Sequence, residues 1–337
     1  MTCSQGCPYT SAQRTADEGA LVDDQALQIE VRLTEAAIAE DFLAALANRY
    51  LPERFFYWFP LSVRAWLSLC QDGPYRNYVR SNALVRASVS QVAGALPEGP
   101  VEVISLGSGQ GTKDFHLLTE LAAGGRAVAY IPVDAGQTLL EMACAGAAGR
   151  GLNCYGIKAD LTNPAHLSGL VPGRETPCRL VLLLGNTLGG FDPLDMLRNL
   201  RPLVRGRDLL LVDGELQNDS DTRAGYENPL NRGFAFAPLR SIGISESDGA
   251  LVFEPRRDVR PGVHRLGKYF RADVDLALRV AGEPFNLRAG ERIEMNHSGK
   301  YERGAFLKLI ADGGFEPSAE FLSEDRRFLM VLARPRP

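Results

Sequence analysis

Histidine is scarce in this chain of 337 residues. The four present, His116, His166, His264 and His297, stand at no ligand-like spacing from one another or from a cysteine. Zinc sites built on paired His and Cys ligands are therefore excluded, and no metal is expected. Cysteine is sparse too, at six residues, of which Cys70, Cys144 and Cys154 lie in apolar runs and read as reduced core side chains rather than a disulfide framework. Cys3 and Cys7 lie in a polar stretch and read as free thiols, half of a metal or redox site being the alternative. No apolar run approaches the roughly 18 residues a membrane span needs, and Met1 to Glu18 lacks the basic-then-apolar pattern of a signal peptide. A cytoplasmic location with no membrane partner is expected. Positive charge is not in excess, since 37 basic residues face 41 acidic ones. A nucleic-acid binder needs a basic face, so a small-molecule partner is the better expectation. There is no internal repeat or low-complexity tract.

What the chain does have is a glycine-rich turn at the end of an apolar run. Val101, Val103, Ile104 and Leu106 suit a buried parallel strand, and Gly107, Ser108, Gly109 and Gly111 follow, with a helix expected from Thr112. A dinucleotide fingerprint wants G-x-G-x-x-G, and here the third glycine comes one residue early. A phosphate loop wants Lys directly after Gly, whereas Gly111-Thr112-Lys113 has the wrong order.

The next strand ends decide the reading. Ala127 to Val133 ends in Asp134, whose two oxygens can accept both hydroxyls of a ribose. Cys154 to Ala159 ends in Asp160, placed to accept an adenine amino group. Arg179 to Leu184 ends in Gly185-Asn186-Thr187, and Asp208 to Asp213 is a fifth strand. Polar strand ends beside a glycine turn describe a crevice at the carboxyl edge of a parallel sheet. They favour S-adenosylmethionine as cofactor, the competing reading being a generic α/β sheet whose acids cap helices.

The βαβ rhythm predicts an α/β fold with a doubly wound, Rossmann-like sheet. Asp24 to Leu51 and Pro60 to Cys70 show helical spacing and are expected to lie outside that sheet, while Ala83 to Leu96 leads into strand one. After Asp213 the rhythm stops. Gln217 to Phe236 reads as a loop, with a helix near Phe234 to Ile242 and then three strands in a meander: Ala250 to Val259, Gly262 to Val274 and Leu276 to Leu287. Gly290 to Lys300 is a returning strand, Arg303 to Gly313 a helix, and Glu316 to Phe321 with Arg327 to Leu332 a closing antiparallel hairpin. The expected division is a tail at 1–20, a second α+β substrate-binding part at 21–80 and 216–296, and a cofactor-binding part at 81–215 and 297–337.

The chain resembles the histidine-specific methyltransferase family over roughly Pro60 to Arg334. The resemblance is carried by Leu106-Gly107-Ser108-Gly109 with Lys113, Tyr130-Ile131-Pro132-Val133-Asp134, Ala159-Asp160, Leu184-Gly185-Asn186-Thr187-Leu188-Gly189-Gly190, Ala224-Gly225-Tyr226-Glu227-Asn228-Pro229 and Ser298-Gly299-Lys300-Tyr301. It implies a class I methyltransferase with methyl-donor binding by Gly107, Lys113, Asp134 and Asp160, and an amino-acid site shared with the second part. Lys113 is either a solvated side chain or a contact to the methionyl carboxylate.

Two positions depart from that pattern. Family members that act on histidine carry an asparagine where this chain has Gly190, and a glutamate where it has Asn296. Each lost charged hydrogen bond is worth about 1.5–3 kcal/mol, so the expected acceptor is a small amine or amino-acid-like metabolite other than histidine. Histidine itself and a non-catalytic ligand-binding role are the alternatives. Tyr226 and Asn186 are the catalytic candidates, with Gly185, Ser108 and Gly109 on the methyl-donor side. Tyr226, Gly190, Lys268, Asn296, Ser298, Tyr57 and Tyr78 are the substrate-binding candidates, Lys268 being alternatively an exposed strand lysine. Phe55, Phe56 and Tyr75 are expected either to join Tyr57 and Tyr78 in a pocket wall or to be core.

Overall fold

The computed structural model describes residues 27–71, 76–173, 177–218 and 225–337. Cys3, Cys7, Tyr75 and the 1–20 tail lie outside these residues. Strand β1 (Ile29–Val31) is followed by α1 (Glu35–Ala47), β2 (Tyr50–Leu51), α2 (Pro60–Gln71) and α3 (Arg76–Ala95). The alternating part then runs β3 (Val101–Leu106), α4 (Asp114–Ala123), β4 (Val128–Asp134), α5 (Gln137–Ala148), β5 (Asn153–Cys154), β6 (Gly156–Lys158), α6 (Pro164–Leu167), β7 (Cys178–Leu183), α7 (Pro193–Leu200) and β8 (Leu209–Glu215). Helix α8 (Pro229–Ser241) leads to β9 (Gly249–Arg257), β10 (Val263–Ala272), β11 (Leu276–Val280), β12 (Glu283–Leu287), β13 (Arg292–Tyr301), α9 (Arg303–Asp312), β14 (Phe315–Leu322) and β15 (Phe328–Pro335).

The main sheet has the order β1-β6-β4-β3-β7-β8-β15-β14, with β5 also paired to β4. Strands β1 to β8 within it are parallel, and β15 and β14 close it antiparallel, as the sequence implied. Strand order runs outward in both directions from the β3/β7 pair, which makes that pair the topological switch point where such sheets bind ligands. The residues of β7 and β8 are almost all buried, as expected of strands covered on both faces. One apolar cluster, including Ile104, Val181 and Phe306, packs one face, and another, including Val103, Leu118 and Met330, packs the other.

Four expectations need correction. The N-terminal segment is not wholly outside the main sheet, because β1 pairs in parallel with β6 at its edge. A strand of three residues between polar neighbours carries too little periodicity to stand out from the helical pattern of α1. The third meander segment is two strands, since β11 and β12 turn back on each other at Ala281 and Gly282, both at positive φ, and form a separate hairpin. The second sheet is β2-β13-β10-β9, so the expected boundary at 296/297 falls inside β13. Helix α8 also starts five residues earlier than expected, at an Asn228 cap that accepts from the Asn231 N–H, with Pro229 in the first turn.

Among the described residues, no helix is long and apolar enough to cross a membrane. Nor does any group of three or more His, Cys, Asp or Glu side chains there stand ready for a metal ion.

Candidate active site

One cavity of about 570 Å³ opens at the carboxyl ends of β3, β4 and β7 and is closed by the N-terminal segment, α8, β10 and β13. It is in the range of roughly 300–1,000 Å³ typical of small-molecule sites. All of Gly107, Ser108, Gly109, Lys113, Asp134, Asp160, Gly185, Asn186, Gly190, Tyr226, Lys268, Asn296, Ser298, Tyr57 and Tyr78 line it. Phe55 and Phe56 do not line it and are fully buried core residues.

On the sheet side, the backbone geometry explains the glycines. Gly107 has φ 69°, and a Cβ there would stand 3.0 Å from Thr187 Cγ2. Gly185 has φ 85°, and a Cβ would stand 2.7 Å from Lys113 Nζ. The turn therefore needs glycine both for its left-handed backbone and to leave room for the lysine. Asp134 is buried, its Oδ2 accepting from the Gly109 N–H and its Oδ1 from the Gly136 N–H, each at 2.8 Å. Burial raises its pKa, and those backbone donors pull it back. Each oxygen keeps a lone pair, which suits a diol.

Asp160 is more heavily engaged than expected. Its Oδ1 accepts from the Thr162 N–H at 2.8 Å and hydroxyl at 2.7 Å, and its Oδ2 lies 3.3 Å from the Arg54 guanidinium. Lys113 is half-buried rather than solvated, with its ammonium 5.2 Å from the centre of the Tyr78 ring. Its charge also opposes the burial that raises the pKa of Asp213. The residues present fit S-adenosylmethionine: a glycine cradle, a buried carboxylate with spare lone pairs, and a cation for the methionyl carboxylate.

The opposite wall is shaped by an irregularity in β13. Lys268 pairs with Met295 and Gly267 with His297, so Asn296 is an extra residue in the ladder. This bulge breaks the alternation, and Asn296, His297 and Ser298 all reach the cavity. Asn296 Oδ1 and His297 Nε2 are buried and have no hydrogen-bond partner among the described residues. Burial and the nearby Arg265 push the His297 imidazole down to about 4, so it is neutral at pH 7.

Beneath Ser298 lies a buried polar network. Lys300, 1% exposed, forms an ion pair with Glu215 and donates to Tyr226 Oη and Ser298 Oγ, each at 2.7 Å. Glu215 also accepts from the Asn77 amide, which reaches Tyr226 Oη at 3.2 Å. Asn186 has φ 60° and ties the loop to both neighbours. Its Nδ2 donates to Ser298 Oγ at 3.1 Å and to the Gly299 carbonyl at 3.4 Å, and its Oδ1 accepts from the Glu215 N–H at 3.0 Å. That leaves Asn186 a single acceptor lone pair, which fits holding the loop better than acting on a substrate. Asn77, Glu215 and Lys300 were not singled out from the sequence. Lys300 stood in the quoted Ser298-Gly299-Lys300-Tyr301 segment, and its place two residues after Ser298 on a strand was the available signal.

Lys268 is not an exposed strand lysine. Its ammonium stands 4.5 Å from the centre of the Phe56 ring and 5.8 Å from that of Phe234, and burial pushes its pKa down to about 8. Tyr57, Trp66 and Phe234 form an aromatic corner with ring centres 5.3–5.5 Å apart, and the Tyr57 hydroxyl donates to Glu53 Oε1 at 3.0 Å. Glu53, another residue not singled out from the sequence, occupies the space beside Gly190.

The profile of a family described as histidine-specific, SAM-dependent methyltransferases matches residues 38–335. The N-methyltransferase fsqC of Aspergillus fumigatus is 24% identical over 73% of this chain and 69% of its own. The N-methyltransferase imqF of Aspergillus flavus is 21% identical over 92% of this chain and 89% of its own. The ergothioneine biosynthesis protein 1 of Neurospora crassa is 24% identical over 73% of this chain but only 29% of its own length. Among solved structures, a SAM-dependent methyltransferase of Leishmania major aligns with a TM-score of 0.45 at 11% identity, covering 87% of this chain and 82% of that one.

Proposed function

We infer that the chain, which belongs to the histidine-specific, SAM-dependent methyltransferase family, methylates the nitrogen of a small amine or amino-acid-like metabolite other than histidine. The observation that carries this reading is the acceptor wall. Gly190 has no side chain to grip a substrate, and Asn296 presents a neutral amide whose buried oxygen has no partner among the described residues. Neither matches the charged and amide contacts by which the family reads histidine. Two relatives named as N-methyltransferases support nitrogen as the acceptor atom.

When bound, the methyl donor supplies a sulfonium carbon, to which a bond from nitrogen forms as the bond to sulfur breaks and its electron pair stays on sulfur. The protein's part is placement and exclusion of water, bringing a lone pair to about 3 Å from that carbon. Gly107, Ser108, Gly109 and Gly185 form the backbone cradle, Asp134 binds the ribose, Asp160 faces the adenine and Lys113 the methionyl carboxylate. Tyr226 and Ser298 touch the acceptor. Lys300 donates to both hydroxyl oxygens, which stand 2.9 Å apart and share a hydrogen bond, so the pair is fixed in place at the acceptor wall. Asn186 positions Ser298. The strand ends and loops of β3, β4 and β7 then hold the methyl donor, while the segment around Glu53 to Tyr57, α8, β10 and β13, Ser298 included, enclose the acceptor.

The test is turnover across a library of amines and amino acids, histidine included, followed by mass spectrometry. The expected result is methylation of one or more members and little or none of histidine. Methylation of histidine at a rate matching the best acceptor would overturn the substrate assignment.

A further inference from the structure

We propose that Glu53 and Lys268 read the two charges of a zwitterionic acceptor, Glu53 holding its ammonium and taking its proton while Lys268 holds its carboxylate. The proposal rests on the methyltransferase reading above and deepens it by naming residues and substrate charge.

Three observations carry it. First, a Cβ at Gly190 would stand 3.2 Å from Glu53 Cδ and 3.3 Å from its Oε2. The missing side chain at 190 thus leaves the carboxylate its room: a Cβ alone would press on it by a few tenths of an ångström, and the amide of an asparagine would crowd it further. Second, Glu53 Oε1 accepts from the Tyr57 hydroxyl, but Oε2 is buried and has no hydrogen-bond partner among the described residues. A buried carboxylate oxygen left unpaired is costly, and such groups mark places where a ligand supplies the partner. Third, Lys268 lines the same cavity, held against two aromatic faces, and among the described residues it has no carboxylate within 4.0 Å. The two charges influence each other, yet they do not pair.

Opposite charges facing one cavity without closing on each other are complementary to a molecule with both signs. A plain ammonium would meet Glu53 but be repelled by Lys268, and a plain carboxylate would suffer the reverse. A zwitterion adds no net charge to a desolvated space. The aromatic corner of Tyr57, Trp66 and Phe234 walls the same region and suits an apolar or aromatic remainder.

The proton step also needs a partner. A protonated amine has no lone pair, so one N–H bond must break, its electron pair remaining on nitrogen and its proton passing to the Glu53 carboxylate. Burial favours the protonated form of Glu53, which makes it a better acceptor than an exposed carboxylate. After transfer the proton leaves to water, and the methylated product departs as an ammonium.

The experiment measures kcat and KM on a panel of primary and secondary amines with and without a carboxylate, phenylalanine and phenethylamine among them. Wild type should favour the carboxylated member of each pair, and its kcat/KM should show an acid limb from Glu53. Glu53→Gln should lower kcat/KM on the best acceptor about 10–100-fold, the worth of a charge-assisted hydrogen bond, and erase the acid limb. Gly190→Asn should reproduce that loss by crowding the carboxylate. Lys268→Met should narrow the gap between each acid and its decarboxylated counterpart. Calorimetry with S-adenosylhomocysteine should find unchanged affinity in all three variants. Wild-type preference for amines lacking a carboxylate, an absent acid limb in wild type, or unchanged kinetics in Glu53→Gln and Gly190→Asn would each overturn the proposal. Absence of any methylated amine with wild type would instead sink the proposed function itself.

Discussion

Lys300→Met tests whether the buried network beneath the acceptor wall is held by charge. Methionine keeps the length of the stem and removes the ammonium, which is paired with Glu215 and donates to Tyr226 and Ser298. Lys300 is 1% exposed and Glu215 8% exposed, so water cannot move in to replace the lost partner. Burial lowers the pKa of Lys300 while Glu215 opposes that, the mark of a pair stabilised by its own attraction against desolvation. Removing one member of such a pair costs about 3–5 kcal/mol, because the other is left as an uncompensated buried charge. Glu215 keeps the Asn77 amide and the Tyr226 hydroxyl at 3.3 Å, which places the expected cost at about 3 kcal/mol, the lower end of that range. The double variant Lys300→Met with Glu215→Leu removes both charges and should recover about 2 kcal/mol or more of the loss. The assay is urea unfolding followed by far-UV circular dichroism and by the fluorescence of Trp58 and Trp66, with coincident transitions required before free energies are compared. A single variant costing under about 1 kcal/mol, or a double variant costing the sum of the two singles, would refute the reasoning.

Asp114 offers a pH-dependent check away from the cavity. Burial raises its pKa from 3.8 to about 6, against the Tyr130 hydroxyl that donates to it at 2.6 Å. The folded chain thus holds this proton more tightly than the unfolded one. The associated stability, about 3 kcal/mol, is fully present below pH about 3.8 and is lost as pH rises through about 6. Asp114→Asn should remove that slope, and denaturation midpoints across pH 4 to 7 that fall equally in both proteins would contradict the assignment. Lys113→Met should weaken S-adenosylhomocysteine binding by about tenfold or more in calorimetry, since a charged contact is lost. Gly185→Ala should weaken the same binding and cost about 1–2 kcal/mol of stability, because alanine must adopt φ 85° and its Cβ would stand 2.7 Å from Lys113 Nζ.

Legibility from sequence followed the range of the interactions. The parallel strands and their order of appearance were readable because buried strands are short apolar runs that punctuation residues bound on each side. The turn at Gly107 and the carboxylate of Asp134 were readable for the same reason, since chemistry at a strand end is set by a few consecutive residues. Glu53 sat in the aromatic run Glu53-Arg54-Phe55-Phe56-Tyr57 with no spacing to mark it, and its surroundings come from Gly190 and Lys268, far along the chain. The bulge at Asn296 was likewise invisible, because an extra residue in a ladder is defined only by the strand it pairs with. β1 was missed because three residues cannot display a period.

The sequence by itself determined the sheet, its glycine cradle and, through the resemblance carried by its motifs, the family and its methyl donor, since these depend on local patterns that each strand and turn carries within itself. Only the tertiary structure decided the acceptor wall. Whether Lys268 is solvated or enclosed, whether Glu53 has room beside Gly190, and whether Lys300 finds Glu215 are questions of burial and distance between segments up to 215 residues apart in number, from 53 to 268. Charge acquires its meaning there from what has been removed from water around it, and that is a property of the folded packing rather than of any stretch of chain.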